Sequence, residues 1–497
     1  MNASGMSGRL IKGSAWISAA RIIVNALAAL STIVLATYLS PADFGIVALG
    51  TTLLAIVSSV TELSLAQALV RHSAPVTSHF NTVWTLNAAR GLILFILFAA
   101  SGYPVAILYQ EPRLTEIMVL LGLSVFIGSL TNPRRIMLQR SLVFWQEFVL
   151  NVSQKLAGVV AAITIAAIYH SYWALVIGAL VTQIVNVAVS YMAVPFRPSI
   201  SFRHIRELFS FSGWLTAAQI INTLNWRFDY LLVGKMLGSS ALGQYTVGSN
   251  LAMLPTRETI APLTLTMFPA FSSIANDAKR LAAAYQRGQA FITAVAFPIG
   301  IGAALIADPL VRLMMGEKWI PAIFVIQALA PVFALQTLGQ FAQPLGMALG
   351  QTRLLFARDL QLFFIRLAMI VTATLMYGLK GMVIARVLSG SLAIIMNLQL
   401  VKRFTLLSVR SQIEVNGRAV LSVAVMASGV LLVVHNFPHS QERSMLIADV
   451  AMRFFTGAFL YIGTMLTLWM IMKRPIGPET EIQQIWMHLR GRRSDRN

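Results

Sequence analysis

Residues 225–251 read NWRFDYLLVGKMLGSSALGQYTVGSNL, and this stretch is the most informative part of the sequence about the fold. Two apolar runs flank Gly238 and the two serines that follow it, a combination that interrupts helices. The stretch therefore predicts two apolar helices joined by a very short break. Arg227 and Asp229 lie in the first helix, about 160° apart around its axis, so they cannot pair with each other.

The same pattern occurs 198 residues earlier in the chain. WISAARII at 16–23 aligns with WLTAAQII at 214–221, and without a gap Gly45 aligns with Gly243. An even number of predicted spans separates the copies, so we expect two parallel repeats. These are an N-terminal lobe (1–197) and a C-terminal lobe (198–403) of six helices each, followed by two helices in 404–473 and a basic cytoplasmic tail, 474–497.

The composition excludes a soluble protein. Of the 497 residues, 57% are hydrophobic and 11% are charged, whereas soluble domains average about 25% charged residues. Apolar runs long enough to cross a bilayer recur along the whole chain, which predicts an all-α polytopic membrane protein with about fourteen transmembrane helices. Their approximate limits are 13–39, 44–68, 83–109, 114–132, 148–168, 172–194, 208–237, 241–270, 286–306, 321–345, 354–377, 380–400, 419–436 and 450–472.

The basic residues lie mostly between the apolar runs. If the N-terminus is cytoplasmic, alternate loops place 24 lysines and arginines on the cytoplasmic side and six on the other side, with Arg453 among the six. This asymmetry follows the positive-inside rule and predicts that both termini are cytoplasmic. The net charge of +20 then reflects topology and attraction to anionic membrane lipids rather than nucleic acid binding.

Motifs for catalysis and for bound cofactors are missing from the sequence. Because the chain has no cysteine, disulfides and thiolate metal sites are excluded, and it has no GxxxxGK[ST] motif for ATP hydrolysis. We therefore expect a protein without enzyme activity, metal or cofactor. Its energy would come from an ion gradient such as H+ or Na+, from the substrate gradient or from consumption of the product.

Charged residues inside transmembrane helices usually face a cavity or a partner. The candidates for a cationic substrate cavity are Arg21, Arg90, Arg227, Arg257 and Arg366. The candidates for coupling or gating are Glu62, Asp229 and Glu258. For Arg21 and Arg90, near the predicted cytoplasmic ends of their helices, snorkelling of the side chain to the membrane surface is an equal alternative.

Two local sequence patterns give further support to particular members of this set. In PTRETIAP, Pro255 and Pro262 flank Arg257 and Glu258, and each proline removes a backbone hydrogen bond. We expect a broken helix there, because transporters place sites at such breaks. Asp229 belongs to a polar helix face, which favours a lobe interface or a cavity wall.

Two segments resemble a known family. LSPADFGIVALGTTLLAIVSSVTELSLAQALVRH at 39–72 and the R-x-D-x-x-x-x-G and L-G-x-Y elements of 225–251 are similar to Wzx-type polysaccharide exporters, particularly the WzxC subgroup. These exporters belong to the MOP (multidrug, oligosaccharidyl-lipid, polysaccharide) flippase superfamily. The similarity runs from about residue 7 to about residue 410.

The resemblance implies the MOP flippase fold, a V-shaped pair of lobes with alternating access. The implied substrate is an undecaprenyl-diphosphate-linked oligosaccharide, flipped to the periplasmic leaflet of the bacterial inner membrane for exopolysaccharide or lipopolysaccharide biosynthesis. A polymerase and co-polymerase of the same pathway would be partners. Arginine suits the phosphate oxygens of such a substrate.

Two other functions stay open. A MATE-like multidrug or cation antiporter of the same superfamily would need an acid-rich cavity, which the excess of basic residues disfavours. A membrane-embedded polymerase or glycosyltransferase would be expected to carry a large outer loop or an acidic loop motif. The longest predicted outer loop, about 437–449, is short.

Overall fold

A computed structural model of the chain describes residues 3–61, 69, 75–140, 144–205, 213–436, 442–472 and 479. These residues are almost wholly α-helical and contain no strand. The helices are α1 (Ala3–Tyr38), α2 (Pro41–Thr61), α3 (Thr77–Tyr109), α4 (Leu114–Ser129), α5 (Ile136–Arg140), α6 (Phe144–Tyr169), α7 (Trp173–Ala193), α8 (Gly213–Ser273), α9 (Ala278–Met315), α10 (Ile320–Leu335), α11 (Ala342–Ala348), α12 (Thr352–Thr405), α13 (Val409–Glu414), α14 (Gly417–Asn436) and α15 (Arg443–Ile471).

Within the described residues, ten helical stretches are long and apolar enough to cross a membrane by length and composition. The all-α membrane architecture is therefore confirmed, while the number of fourteen helices stays a prediction. One of the ten stretches, Thr352–Thr405, is itself broken at Gly378.

The two longest helices are each interrupted by one glycine. Gly238 in α8 has φ 83° and Gly378 in α12 has φ 58°, a region that favours glycine because it has no Cβ. Both breaks fall between predicted spans, in the gaps 237/241 and 377/380. Short helix breaks of this kind let consecutive apolar segments change direction without a long loop.

The chain forms two compact units, Met1–Val247 and Gly248–Asn497. In the first unit, Leu69, Phe80, Val83, Leu86 and Phe196 form a buried apolar cluster. In the second unit, two buried clusters gather around α9 (Phe271, Tyr285, Phe341 and neighbours; Phe297, Met426, Tyr461 and neighbours). The predicted lobe boundaries at 197 and 403 stay predictions.

Within the first unit, the two copies of the sequence repeat contact each other through equivalent residues. A Cβ added to Gly45 would lie 1.8 Å from the carbonyl oxygen of Ser239, and a Cβ added to Gly243 would lie 1.7 Å from that of Pro41. Gly45 and Gly243 are aligned in the repeat, and so are Pro41 and Ser239. The contact is therefore reciprocal, and small residues allow backbones in a membrane to approach this closely.

Candidate functional site

Arg227 and Asp229 lie in different surroundings. Asp229 is 0% exposed, and the Tyr245 hydroxyl donates to its Oδ2 at 2.6 Å from beyond the break at Gly238. Arg227 is exposed, and its guanidinium carbon lies 5.7 Å from the centroid of the Tyr230 ring. The prediction that the two charges point apart is confirmed.

The polar face predicted for the first half of α8 is not uniform. Gln219, Asn222 and Trp226 are exposed, whereas Asp229 and Tyr230 are buried. Asp229 therefore connects the two halves of α8 through Tyr245. Its role in coupling or gating stays a prediction.

Arg21 in α1 and Arg90 in α3 are both half-buried. Arg90 Nε donates to Thr61 Oγ1 at 3.0 Å, and its Nη2 donates to the Ser58 carbonyl oxygen at 2.9 Å. The guanidinium of Arg90 is thus oriented by the last turn of α2. Glu62, the next residue along the chain after Thr61, lies outside the described residues.

The segment around Arg257 corrects one expectation. Backbone dihedrals in α8 remain helical at Pro255 and Pro262, and only Gly238 departs from helical geometry, so the expectation of a broken helix in PTRETIAP is wrong. The fixed φ of proline is compatible with a helix, and membrane helices tolerate the lost hydrogen bond. Arg257 is exposed, and the side chain of Glu258 lies outside the described residues.

Arg366 lies in the first half of α12 and is only 4% exposed. Its Nε donates to Ser389 Oγ at 3.3 Å in the second half of the same helix, beyond Gly378. Ser389 Oγ donates in turn to the carbonyl oxygen of Arg386 at 3.2 Å, and Arg386 is also buried. Sequence reasoning did not select Arg386, although its position inside the predicted span 380–400 is a signal of the required kind.

A cluster of charges at one end of the first unit was also missed. Arg113 contacts Glu111 at 3.1 Å and Asp43 at 3.8 Å, and Ser239 Oγ donates to Glu111 Oε1 at 2.9 Å. The cluster joins the α1–α2 break, the α3–α4 turn and the break in α8. Because its members come from three separate turns, local sequence patterns do not reveal it.

Metal-binding groups are absent from the part of the chain that the structure describes. There, no group of three or more histidine, aspartate or glutamate side chains could hold a metal ion. The expectation that transport needs no metal stays a prediction.

Comparison with known proteins gives a family and several relatives. Residues 34–324 match the family described as "Polysaccharide biosynthesis protein". The lipopolysaccharide biosynthesis protein WzxC of Escherichia coli (strain K12) is 24% identical over 381 residues, which cover 75% of this chain and 77% of WzxC. The succinoglycan biosynthesis transport protein ExoT of Rhizobium meliloti (strain 1021) is 23% identical over 290 residues, 58% of each chain.

Solved structures with the same fold have been determined for two kinds of transporter. The lipid II flippase MurJ in its inward closed conformation has a TM-score of 0.72 at 13% identity, covering 93% of this chain and 100% of MurJ. An inward-facing multidrug resistance MATE family transporter of the MOP superfamily has a TM-score of 0.57 at 16% identity, covering 78% of this chain and 98% of the transporter. The predicted MOP flippase fold is confirmed.

Proposed function

The chain belongs to the polysaccharide biosynthesis protein family, and we propose that it flips an undecaprenyl-diphosphate-linked oligosaccharide repeat unit across the bacterial inner membrane. The protein is a multi-pass membrane transporter and not an enzyme. Flipping would supply exopolysaccharide or lipopolysaccharide biosynthesis, with the substrate entering from the cytoplasmic leaflet and leaving to the periplasmic leaflet. Both termini would be cytoplasmic, as the distribution of lysine and arginine predicts.

The observation that supports this proposal is a set of arginines placed within the long helices α1, α3, α8 and α12. They range from exposed to buried, and they are Arg21, Arg90, Arg227, Arg257 and Arg366. A diphosphate that enters a membrane needs cations to replace its hydration, and the planar guanidinium binds two phosphate oxygens at once. Within this set, Arg90 is already oriented by two hydrogen bonds to α2.

Transport would proceed by alternating access, with the arginines binding the diphosphate or an acidic sugar. Glu62, Asp229 and Glu258 would act in coupling or gating, and an H+ or Na+ gradient would be the ion source. A polymerase and co-polymerase of the pathway would receive the flipped repeat unit.

The test replaces Arg90, Arg257 and Arg366 by glutamine, singly and together, and measures polymer export at equal membrane levels. We expect export to fail in the triple variant and the lipid-linked oligosaccharide to accumulate on the cytoplasmic side. Arg410→Gln is a matched control, because Arg410 is exposed and pairs only with Glu414 on α13 among the described contacts. Undiminished export by the triple variant would overturn the cationic site.

A second candidate function is a MATE-like multidrug or cation antiporter, which the shared fold supports. Such a protein needs acidic residues for cationic substrates, yet the chain carries 38 basic and 18 acidic residues. Drug susceptibility of a deletion strain separates the two functions. Hypersensitivity to cationic drugs together with normal polymer export would favour the antiporter.

A further inference from the structure

Helix α9 contains two internal prolines, Pro298 and Pro309. Proline has no N–H, so each leaves the carbonyl four residues earlier without its usual donor within the helix. The two carbonyls are those of Ala294 and Leu305. In the hydrocarbon region of a membrane no water is present to replace the missing bonds, so another protein group must do so.

Both missing donors are supplied by side chains of a single helix, α15. The Tyr461 hydroxyl donates to the Ala294 carbonyl oxygen at 2.5 Å, and Arg453 Nη1 donates to the Leu305 carbonyl oxygen at 2.9 Å. The order of the contacts is reversed along the chain, as expected for an antiparallel helix pair. One helix therefore completes the backbone bonding of its neighbour at both prolines.

The charge of Arg453 is balanced within α15. Asp449, one turn earlier, accepts from Arg453 Nε and Nη2 at 2.6 Å each. Arg453 is 6% exposed, so the pair holds a buried guanidinium in a fixed orientation towards α9. The assignment of Arg453 to the outer side of the membrane stays a prediction, and the residue lies inside α15, which begins at Arg443.

Further contacts connect α9 to the C-terminal part of the chain. Gln286 Nε2 donates to Ser411 Oγ at 2.8 Å, and Thr293 Oγ1 donates to Asn416 Oδ1 at 2.5 Å. Phe297 of α9 packs in one apolar cluster with side chains of α14 and α15, namely Met426, Tyr461 and Met465. The segments 409–436 and 443–471 thus contact α9 at several levels between Gln286 and Leu305.

We propose that α15 is a brace that replaces the two backbone hydrogen bonds missing from α9, and that Arg453 and Tyr461 are positioning residues for transport. They act through the backbone of α9 rather than by contact with the substrate. Transporters of this class move by rocking of largely rigid bodies. A helix with two missing backbone bonds is a weak point in such a body, and the brace removes that weakness. The inference goes beyond the proposed function, because it concerns the second unit whatever the cargo.

The decisive experiment is a double-mutant cycle between Tyr461→Phe and Pro298→Ala in the full chain. Tyr461→Phe removes only the hydroxyl, so we expect Tm to fall by about 2 °C, the size expected for one buried hydrogen bond. Pro298→Ala restores an N–H to the Ala294 carbonyl, so in that background Tyr461→Phe should have little effect on Tm. Export at equal membrane levels should show the same rescue.

A matched control is Tyr285→Phe. The hydroxyl of Tyr285 donates to the Leu338 carbonyl oxygen at 3.2 Å, and Tyr285 is fully buried, but no proline frees that carbonyl. Its effect on Tm should therefore be the same in the natural chain and in the Pro298→Ala variant. Additive effects of Tyr461→Phe and Pro298→Ala on Tm would contradict the proposal that α15 is a brace for α9.

A second cycle tests the other contact. The charge-free pair Arg453→Met with Asp449→Asn removes the donor to the Leu305 carbonyl oxygen without leaving the Asp449 carboxylate unpaired. Its loss of Tm should be partly recovered by Pro309→Ala and not by Pro298→Ala. Recovery by both alanines, or by neither, would contradict the specific pairing. Because Tm requires no substrate, these results are independent of whether the proposed cargo is correct.

Discussion

The break between α1 and α2 and the break inside α8 occupy equivalent positions of the repeat but are built from different residues. At the first, Pro41 opens α2, the Ser40 N–H donates to Asp43 Oδ2 at 2.9 Å, and the Asp43 N–H donates to Ser40 Oγ at 3.3 Å. At the second, Gly238 alone makes the turn with φ 83°, and Ala241 stands in the place of Asp43.

The difference in residues between the two breaks indicates which part of the repeat the fold requires. The turn chemistry differs between the two copies, yet glycine is present in both at the point where the backbones touch, Gly45 and Gly243. Packing therefore constrains the sequence more strongly here than the manner of breaking the helix. Substitutions at the contact should then cost more than substitutions at either turn.

Gly243→Ala should have the largest effect of this group. The new Cβ would lie 1.7 Å from the Pro41 carbonyl oxygen, a backbone atom that no side-chain rotation can move. We expect a loss of about 3 kcal/mol or more, and loss of folded protein from the membrane. Gly302→Ala is the control, because it is also helical and nothing lies within 4 Å of its added Cβ. Equal membrane levels of the Gly243→Ala and Gly302→Ala variants would show that the backbone contact with Pro41 does not require glycine at position 243.

Gly238→Ala should have the next largest effect, through backbone strain alone. Nothing lies within 4 Å of a Cβ at this position, but φ is 83°, where an L-residue other than glycine is unfavourable. A cost of about 1–3 kcal/mol is expected, measured as a lower Tm of the purified protein. Gly238→Asn should lose as much as Gly238→Ala, because ψ is 177°, outside the left-handed helical region that asparagine tolerates. An unchanged Tm for either variant would show that the turn does not depend on the glycine.

Sequence reasoning predicted the helices, the glycine breaks and the opposed directions of Arg227 and Asp229, because each of these depends on local periodicity or local backbone preference. It did not find Tyr245 as the donor to Asp229, since that contact depends on how the chain turns at Gly238. It also did not find the contact of Arg453 with the Leu305 carbonyl oxygen, because that contact depends on how α15 packs against α9.

Asp43→Ala should cost about 1 kcal/mol, the usual value of one hydrogen bond, because it removes the acceptor of the Ser40 N–H in the capping box of α2. Asp277→Ala is the comparison variant, because Asp277 also bonds the first turn of a helix, accepting from the Arg280 N–H at 3.0 Å as the cap of α9. Asp277 also pairs with Arg280 Nε at 3.3 Å, but both side chains are exposed (49% and 78%), so solvent screens that ion pair. Asp43 also contacts Arg113, whereas Asp277 belongs to the second unit and is not a member of that cluster. A larger loss of Tm for Asp43→Ala than for Asp277→Ala would measure the contribution of the cluster, and equal losses would assign the whole effect to capping.

Arg113→Gln should have the smallest effect on stability, although Arg113 links both breaks through Asp43 and Glu111. Its side chain is 42% exposed, and ion pairs with that exposure contribute about 0–1 kcal/mol because solvent screens them. Raising the salt concentration should narrow the difference in Tm between Arg113→Gln and the natural protein. The glycine contact does not involve charge, so the loss caused by Gly243→Ala should not respond to salt. A salt-sensitive loss in the glycine variant would mean that the cluster, rather than the backbone contact, holds the two breaks together.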